Sequence, residues 1–244
     1  MKGVFNSKYA IMEKIIISHF PNITVVSDMM KDNINAIFLR NKNVFVVPNG
    51  CDTFGIKNVI NDYNGKLKFV TIGGLRNRKG IIETLTIISD LQNKYGYDIE
   101  LQIYGREEGQ YTKDWLKHEI IEYNLSPLKV KYCGLISDKR ELYNILANCH
   151  FHIAFSKYDT FNVAIIEALS IGCPTIASNM CGASYLIKNI TDGLVVDLKE
   201  PNYSEIINEY ITEYKATNKY NKIDHSKEFL WPNIVALYLK VFSQ

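Results

Sequence analysis

Two acidic residues eight positions apart interrupt an otherwise apolar stretch. In YDTFNVAIIEALSIGCPTIAS, Asp159 precedes an apolar run and Glu167 lies inside it. A carboxylate buried without a partner costs several kcal/mol or changes its pKa. Ribose hydroxyls are suitable partners, because an ionised carboxylate only accepts hydrogen bonds and a diol donates two. The alternative is structural: Glu167 pairs with a lysine and Asp159 caps the helix. Periodicity alone leaves both interpretations open.

The elements around these acids predict where they lie. HFHIAFS indicates a buried strand, SKYDT a loop and FNVAIIEALSIG a helix. Asp159 would then follow the carboxyl end of a strand, where ligands bind in open α/β sheets. Asn162 and Val163 would offer free backbone N–H groups at the positive end of the helix dipole. We therefore expect an anion site beside the two acids.

Short β-rich runs alternate with helix-length segments along most of the chain. The runs are 22–27, 43–48, 67–74, 99–105, 128–134, 150–156, 174–178 and 193–198, and the main helical segments are 79–95, 111–123, 138–148, 161–171 and 203–216. This alternation predicts an α/β fold, a Rossmann-like doubly wound parallel sheet with helices on both faces.

Composition excludes several classes of function. Lys and Arg are scattered and the net charge is +2, so we predict no nucleic-acid partner. No apolar run is long enough for a transmembrane segment. The five cysteines are widely spaced and odd in number, which is typical of reduced thiols in a cytoplasmic protein. GGLRNRKG is not a Walker loop, and CHFH is more typical of a core strand than of a metal site, so we predict no metal.

The acids belong to an ordered series of motifs that resembles family 4 of the retaining glycosyltransferases, which adopt the GT-B fold. Members of that family carry a Glu, seven residues and a second Glu, followed by small residues and Pro-Val-Ile-Ala. Here the acids are Asp159 and Glu167, so the first acid is one methylene shorter. The other motifs are VPNGCD (47–52, interdomain linker), VTIGGLRNRKG (70–80, phosphate loop), YCGLIS (132–137, base-contact loop), CGASYLI (181–187, glycine turn) and FLW-x5-LY (229–238, terminal helix).

The resemblance implies a role for each motif residue. Glu167 would bind the ribose, Asp159 the sugar being transferred and Lys79 the diphosphate, and these three are the predicted catalytic set. The other predicted nucleotide contacts are Gly73, Gly74, Arg76, Arg78, Gly105, Gly134, Leu135 (near the base), Asn162 and Val163. Family members use a nucleotide-diphosphate sugar as donor substrate and hold no metal or cofactor tightly, so we expect none here.

The phosphate loop departs from the family pattern at one position. The family usually has Arg directly after the loop glycine, and this chain has Gly74 there. We expect Arg76 or Arg78 to supply the missing cation. Stabilisation of the leaving diphosphate depends on such cations. Sugar transfer therefore depends on this replacement more than nucleotide binding does.

The resemblance also divides the chain. Residues 1–57 would be a short remnant of the acceptor-side GT-B half with its linker, 58–224 the nucleotide-sugar-binding domain, and 225–244 the terminal crossover helix. A fragment, a donor subunit and a reduced enzyme remain alternatives. Two short strands do not form an independent core, so we expect self-association or an acceptor-domain subunit.

These motifs predict a retaining, hexosyltransferase-like glycosyltransferase of polysaccharide biosynthesis. It would transfer sugar from a nucleotide sugar to a glycan or a lipid-linked acceptor. Whether the chain acts alone stays open. The alternative is a non-catalytic nucleotide-sugar-binding or assembly subunit of a two-chain glycosyltransferase. We predict a cytoplasmic location, with the inner face of a membrane as the alternative.

Overall fold

A computed structural model describes residues 15, 17–38, 43–52, 54–58, 60, 65–216 and 225–243. Eight strands and seven α-helices have both their ends within these residues. The strands are β1 Ile23–Val25, β2 Val44–Val46, β3 Leu67–Ile72, β4 Ile99–Tyr104, β5 Val130–Gly134, β6 Phe151–Ala154, β7 Thr175–Ser178 and β8 Gly193–Val196. The helices are α1 Asp28–Phe38, α2 Ile81–Asn93, α3 Lys113–Glu122, α4 Lys139–Ala147, α5 Val163–Ser170, α6 Tyr203–Ala216 and α7 Trp231–Phe242.

Six strands form one parallel sheet in the order β5-β4-β3-β6-β7-β8. The chain therefore runs outward from β3 to one edge, returns to the centre and runs outward from β6 to the other edge. This reversal between β3 and β6 is the topological switch point at which doubly wound sheets bind ligands. The predicted Rossmann-like fold is confirmed.

Helices cover the sheet, and its central strands are buried. Every residue of β6 and β7 is buried, as continuous apolar runs in parallel strands predict. Phe69 of β3 stacks on Phe151 of β6 with ring centroids 5.5 Å apart. Helix α2 buries Leu85 and Ile88 in the same core. Full burial of each such side chain contributes about 1.5–3 kcal/mol, so the strand ends that carry the loops are firmly held.

The amino-terminal strands β1 and β2 form a separate parallel pair, and α1 lies between them in the chain. Ser27 joins this pair to the large sheet: its Oγ accepts from the Met30 backbone N–H and donates to the Thr160 carbonyl at 2.7 Å. Helix α7 packs back on the same piece, where Val47 is buried with Ile234 and Val241. The terminal helix thus contacts the amino-terminal segment.

The predicted boundary at residue 224 lies outside the described residues, so the division of the chain into domains stays a prediction. In the described ranges, no helix combines the length and the apolar character needed to cross a membrane.

Candidate functional site

A cavity of about 360 Å³ opens at the carboxyl ends of β3, β4 and β5 and against the start of α5. It lies at the switch point of the sheet, where the loops leave the strands. The predicted residues that line it are Gly73, Lys79, Gly105, Leu135, Asn162, Val163 and Glu167. Further lining residues, which had no predicted role of their own, include Tyr104, Ile136, Ser137, Asp138, Lys139 and Ala164.

Five predicted residues do not line the cavity: Gly74, Arg76, Arg78, Gly134 and Asp159. Arg76 is turned towards Glu108, with its Nε 3.7 Å from Oε1 of that acid. Arg78 is exposed on the short 3₁₀ turn Asn77–Lys79. The structure therefore brings neither arginine to the cavity wall. Asp159 differs, because it reaches the cavity through Lys79.

The first glycines of the loop join two strands together. The N–H groups of Gly73 and Gly74 donate to the Tyr104 carbonyl at 2.9 and 2.8 Å. These amides are already bonded, so neither is free to donate to a phosphate, and Gly73 meets the cavity without a free amide. Gly74 has a φ of +78°, and a Cβ there would lie 2.0 Å from the Arg106 carbonyl oxygen. The close approach therefore explains why glycine, and not arginine, occupies this position.

A second glycine ends the loop and starts α2. Gly80 has a φ of +71°, and a Cβ there would lie 1.9 Å from the Phe155 carbonyl oxygen. The helix predicted from residue 79 accordingly begins at Ile81, after the short 3₁₀ turn. This arrangement brings the loop against the end of β6.

The side chain of Lys79 passes over Gly73, and its ammonium contacts Asp159. A Cβ at Gly73 would lie 3.0 Å from Cγ of Lys79, so glycine leaves room for the lysine stem. The Lys79 ammonium lies 2.5 Å from Oδ2 of Asp159, and both side chains are shielded, with 17% and 14% exposure. Oδ1 of Asp159 also accepts from the Phe161 N–H at 3.3 Å. The pair holds one charge of each sign beside the cavity.

The start of α5 has the features of an anion site. Its N-cap, Asn162, adopts a left-handed conformation with φ +70° and makes no side-chain cap hydrogen bond. Instead its Nδ2 points towards Ser156 Oγ at 3.5 Å. Val163 and Ala164, the first helical residues, line the cavity. Their N–H groups begin the helix, where no preceding turn supplies acceptors and the dipole favours negative charge.

Glu167 is buried in α5 with a lysine against it. Its side chain is 5% exposed and pairs with Lys139, the first residue of α4. Burial raises the pKa of Glu167, and the hydrogen bond from Lys139 opposes that rise. The lysine pair that the structural alternative predicted is therefore present, and it lies on the wall of the cavity.

Lys139 is the main side chain that sequence reasoning missed. It follows Asp138, the N-cap of α4, whose side chain accepts from the Arg140 N–H at 2.8 Å. Its position in the sequence could have identified it. Lys139 lies four residues beyond the predicted base-contact residue Leu135, at the start of the helix that follows another parallel strand. That position faces the same crevice as the loop after β3.

Two residues predicted to lie near the base, Gly105 and Leu135, also line the cavity. Leu135 lies at the mouth with 63% exposure. Gly105, with φ +132°, donates its N–H to the Gly134 carbonyl at 2.7 Å and accepts from the Tyr132 hydroxyl at 2.7 Å. Burial raises the pKa of Tyr104, which stays a neutral hydroxyl. An apolar side chain beside a strand end with no side chain of its own leaves room for a planar ring.

The CHFH residues belong to the core, as predicted. Nδ1 of His150 accepts from the Lys68 N–H at 2.9 Å, and burial lowers the pKa of His152 to about 3. Across the part of the chain that the structure describes, no group of three His, Cys, Asp or Glu residues could hold a metal ion.

Comparisons with known proteins identify a family. Residues 56–226 match the family described as Glycosyl transferases group 1. Protein CapJ of Staphylococcus aureus is 32% identical over 188 residues, which cover 71% of this chain and 46% of CapJ. The UDP-Gal:alpha-D-GlcNAc-diphosphoundecaprenol alpha-1,3-galactosyltransferase of Escherichia coli is 26% identical over 180 residues, 68% of this chain and 44% of that enzyme.

The fold also resembles that of solved structures. HepE of Anabaena, in complex with UDP and glucose, superposes with a TM-score of 0.75 at 19% identity, and the alignment covers 96% of this chain and 66% of HepE. The chain thus spans about half the length of the two curated relatives and two thirds of HepE. On the family match over most of its length, this chain belongs to the group 1 glycosyltransferases.

Proposed function

We propose that this chain binds the nucleotide-diphosphate sugar of a glycosyltransferase and takes part in sugar transfer with retention of configuration. One observation carries the proposal: Glu167, Lys79 with Asp159, and the uncapped start of α5 surround one cavity at the switch point. A buried carboxylate, an ammonium and free amides match a diol and a diphosphate in a single molecule.

The donor has a definite orientation in this proposal. The ribose diol donates to the buried carboxylate of Glu167. The diphosphate accepts from the N–H groups at Asn162 and Val163 and from Lys79. The base lies on Leu135 and against the backbone at Gly105.

The reaction step depends on Lys79 and the helix start. The bond between the anomeric carbon of the sugar and the diphosphate breaks, and the acceptor hydroxyl oxygen bonds to that carbon on the same face. The hydroxyl proton passes to the departing diphosphate, which gains negative charge as it leaves. A fixed ammonium and oriented amides stabilise that charge, and removal of one such group costs about 2.7–4 kcal/mol. Asp159 holds Lys79 in place, and it contacts the hydroxyls of the transferred sugar where the sugar extends past Lys79, outside the cavity itself. Basic side chains then perform the role that a metal plays elsewhere.

The relatives suggest where the search for substrates should begin. HepE binds UDP and glucose, and the Escherichia coli relative is named for UDP-Gal and a diphosphoundecaprenol acceptor. We therefore propose a uridine diphosphate sugar as the first donor to test and a lipid-linked or glycan acceptor. Such an acceptor would bring the chain to the cytoplasmic face of a membrane.

We propose that α7, beside the small β1–β2 sheet, holds the protein partner that binds the acceptor. Helix α7 buries Ile234 and Val241 against Val47. Its other face leaves large apolar side chains exposed: Trp231, Val235, Leu239 and Phe242. We propose that an acceptor-domain subunit or a second copy covers this face. Sedimentation of Leu239→Glu beside the unchanged chain tests it, because a charge there should dissociate any assembly.

A ligand screen followed by a transfer assay tests the proposed function. Thermal shifts are measured with UDP, GDP, ADP and their sugars, because a ligand specific for the folded state raises the melting temperature. The bound sugar nucleotide is then incubated with candidate acceptors, and NMR reads the configuration of the product. Retained configuration supports the proposal. No shift with any nucleotide contradicts it, and binding without turnover favours the non-catalytic subunit.

A further inference from the structure

The cavity has few positive charges for the ligand proposed above. Among the described residues that line it, the basic side chains are Lys79 and Lys139. Arg76 is turned to Glu108, and Arg78 is exposed outside the wall. Lys79 pairs with Asp159 and Lys139 with Glu167, so each pair has a net charge of zero, and the two lysines differ in their exposure. A diphosphate therefore needs a cation beyond Lys79.

We infer that Lys139 is this second cation and that it bridges Glu167 to the phosphate nearest the ribose. The inference rests on the proposed function, because Glu167 locates the ribose. The ribose carries its phosphate directly, so a group in contact with Glu167 lies within reach of that phosphate. Lys139 already contacts Glu167 and lines the cavity.

The hydrogen-bonding capacity of a lysine allows both contacts at once. An ammonium has three donors, and a carboxylate has about four acceptor sites. Glu167 can accept from the ribose diol on one side and keep Lys139 on the other. The remaining donors of Lys139 are then free for a phosphate oxygen.

The exposure of Lys139 distinguishes this role from that of a simple counter-ion. Its side chain is 55% exposed, whereas the carboxylate that it contacts is 5% exposed. The flexible four-carbon stem starts at the first residue of α4, so the ammonium can turn without moving the helix. Lys79, by contrast, is confined between Gly73 and Asp159. Lys139 is thus the cation that can follow a ligand.

The test compares charged and uncharged ligands on two variants. Calorimetry measures UDP and uridine binding to the unchanged chain, Lys139→Met and Lys139→Arg, with GDP and ADP as alternative probes. Lys139→Met should lose about tenfold or more in affinity for the diphosphate and much less for the nucleoside. Lys139→Arg keeps the charge and should restore most of the difference. The dependence of UDP affinity on salt should weaken in the Met variant only.

A double variant keeps the test decisive if Lys139→Met is poorly folded. Lys139→Met with Glu167→Gln removes both charges and leaves no buried carboxylate unpaired. Relative to Glu167→Gln alone, it should lose further affinity for UDP but not for uridine. An equal loss for both ligands would show that Lys139 only neutralises Glu167, and the inference would fail while the proposed function stands. If the unchanged chain binds none of UDP, GDP or ADP, both fail together.

Discussion

Each of the two walls of the cavity holds a lysine that pairs with an acid, but the two pairs differ in burial. On the loop wall, Lys79 and Asp159 are both shielded. On the helix wall, Glu167 is buried while Lys139 is largely exposed. The first pair joins two loops at the ends of β3 and β6, and the second joins the helices α4 and α5.

One cavity can therefore combine a rigid wall with a wall whose lysine is free to move. The loop wall is fixed because glycines allow close approaches that other residues would prevent, at Gly73, Gly74 and Gly80. On the helix wall only the acid is fixed, because the exposed lysine side chain keeps its freedom to change rotamer. A preorganised group costs no reorganisation at the moment of reaction. We therefore expect the loop wall to serve the chemical step and the helix wall to serve binding.

The largest expected effect is at Lys79. Lys79→Met should reduce sugar transfer about 100- to 1,000-fold, because it removes a fixed cation from the leaving diphosphate. It should also weaken UDP binding far more than uridine binding. Lys66→Met is a matched control, since Lys66 pairs with Glu100 away from the cavity. Initial rates and calorimetry measure both effects. Transfer at the parent rate would mean that the loop wall does not serve the reaction.

The next effect is at Glu167. Glu167→Gln should weaken nucleotide binding about 10- to 150-fold, since a hydrogen bond to a charged group contributes about 1.5–3 kcal/mol. The loss should be similar for nucleoside and diphosphate, because both carry the ribose. Glu122→Gln, on the exposed face of α3, is the control. If the variant lost only diphosphate affinity, the ribose assignment would be wrong.

Asp159 separates binding from transfer. Asp159→Asn keeps the shape but removes the charge, so UDP affinity should stay within a few-fold while transfer falls about tenfold or more. UDP lacks the sugar that Asp159 contacts, so its affinity should change little in the variant. Equal losses in UDP binding and transfer would indicate that Asp159 acts only through the position of Lys79.

The smallest effect concerns an ion pair away from the cavity. His225 contacts Asp192 at 2.8 Å and Glu228 at 3.2 Å. The hydrogen bond to Asp192 raises the pKa of His225 above its ordinary 6.5. This stabilisation is therefore full below pH 6.5 and is lost as the pH rises through the folded-state pKa.

His225→Gln should flatten that part of the pH dependence. The free energy of unfolding, measured from pH 5.5 to 9 by denaturant titration, should fall less with rising pH in the variant than in the parent. His118→Gln is the control, because His118 is exposed on α3. Parallel profiles for parent and His225→Gln would contradict the contribution of this pair.

The sequence predicted the strands and a ligand crevice at their carboxyl ends, since hydrophobic runs and loop glycines are local signals. It also brought Lys79, Glu167 and Leu135 to one cavity. The direction of Arg76 could not be predicted, because it depends on Glu108 in another loop. The bonded amides of Gly73 and Gly74 depend in the same way on the end of β4.

The Lys139–Glu167 pair was foreseen only as an unnamed lysine. The two residues lie 28 positions apart and on different helices, so no periodicity connects them. Their meeting follows from the packing of α4 beside α5, which is a tertiary property. A charged residue just beyond the carboxyl end of a parallel strand is the signal that would have named Lys139.

A crystal structure of the chain with UDP or another bound nucleoside diphosphate tests the central claim most directly. The account predicts the ribose diol on the Glu167 carboxylate, the diphosphate at the start of α5 and on Lys79, and the base on Leu135. A nucleotide bound elsewhere, for example in the cavity beside α3 formed by Leu116, Ile120 and Tyr132, would contradict it.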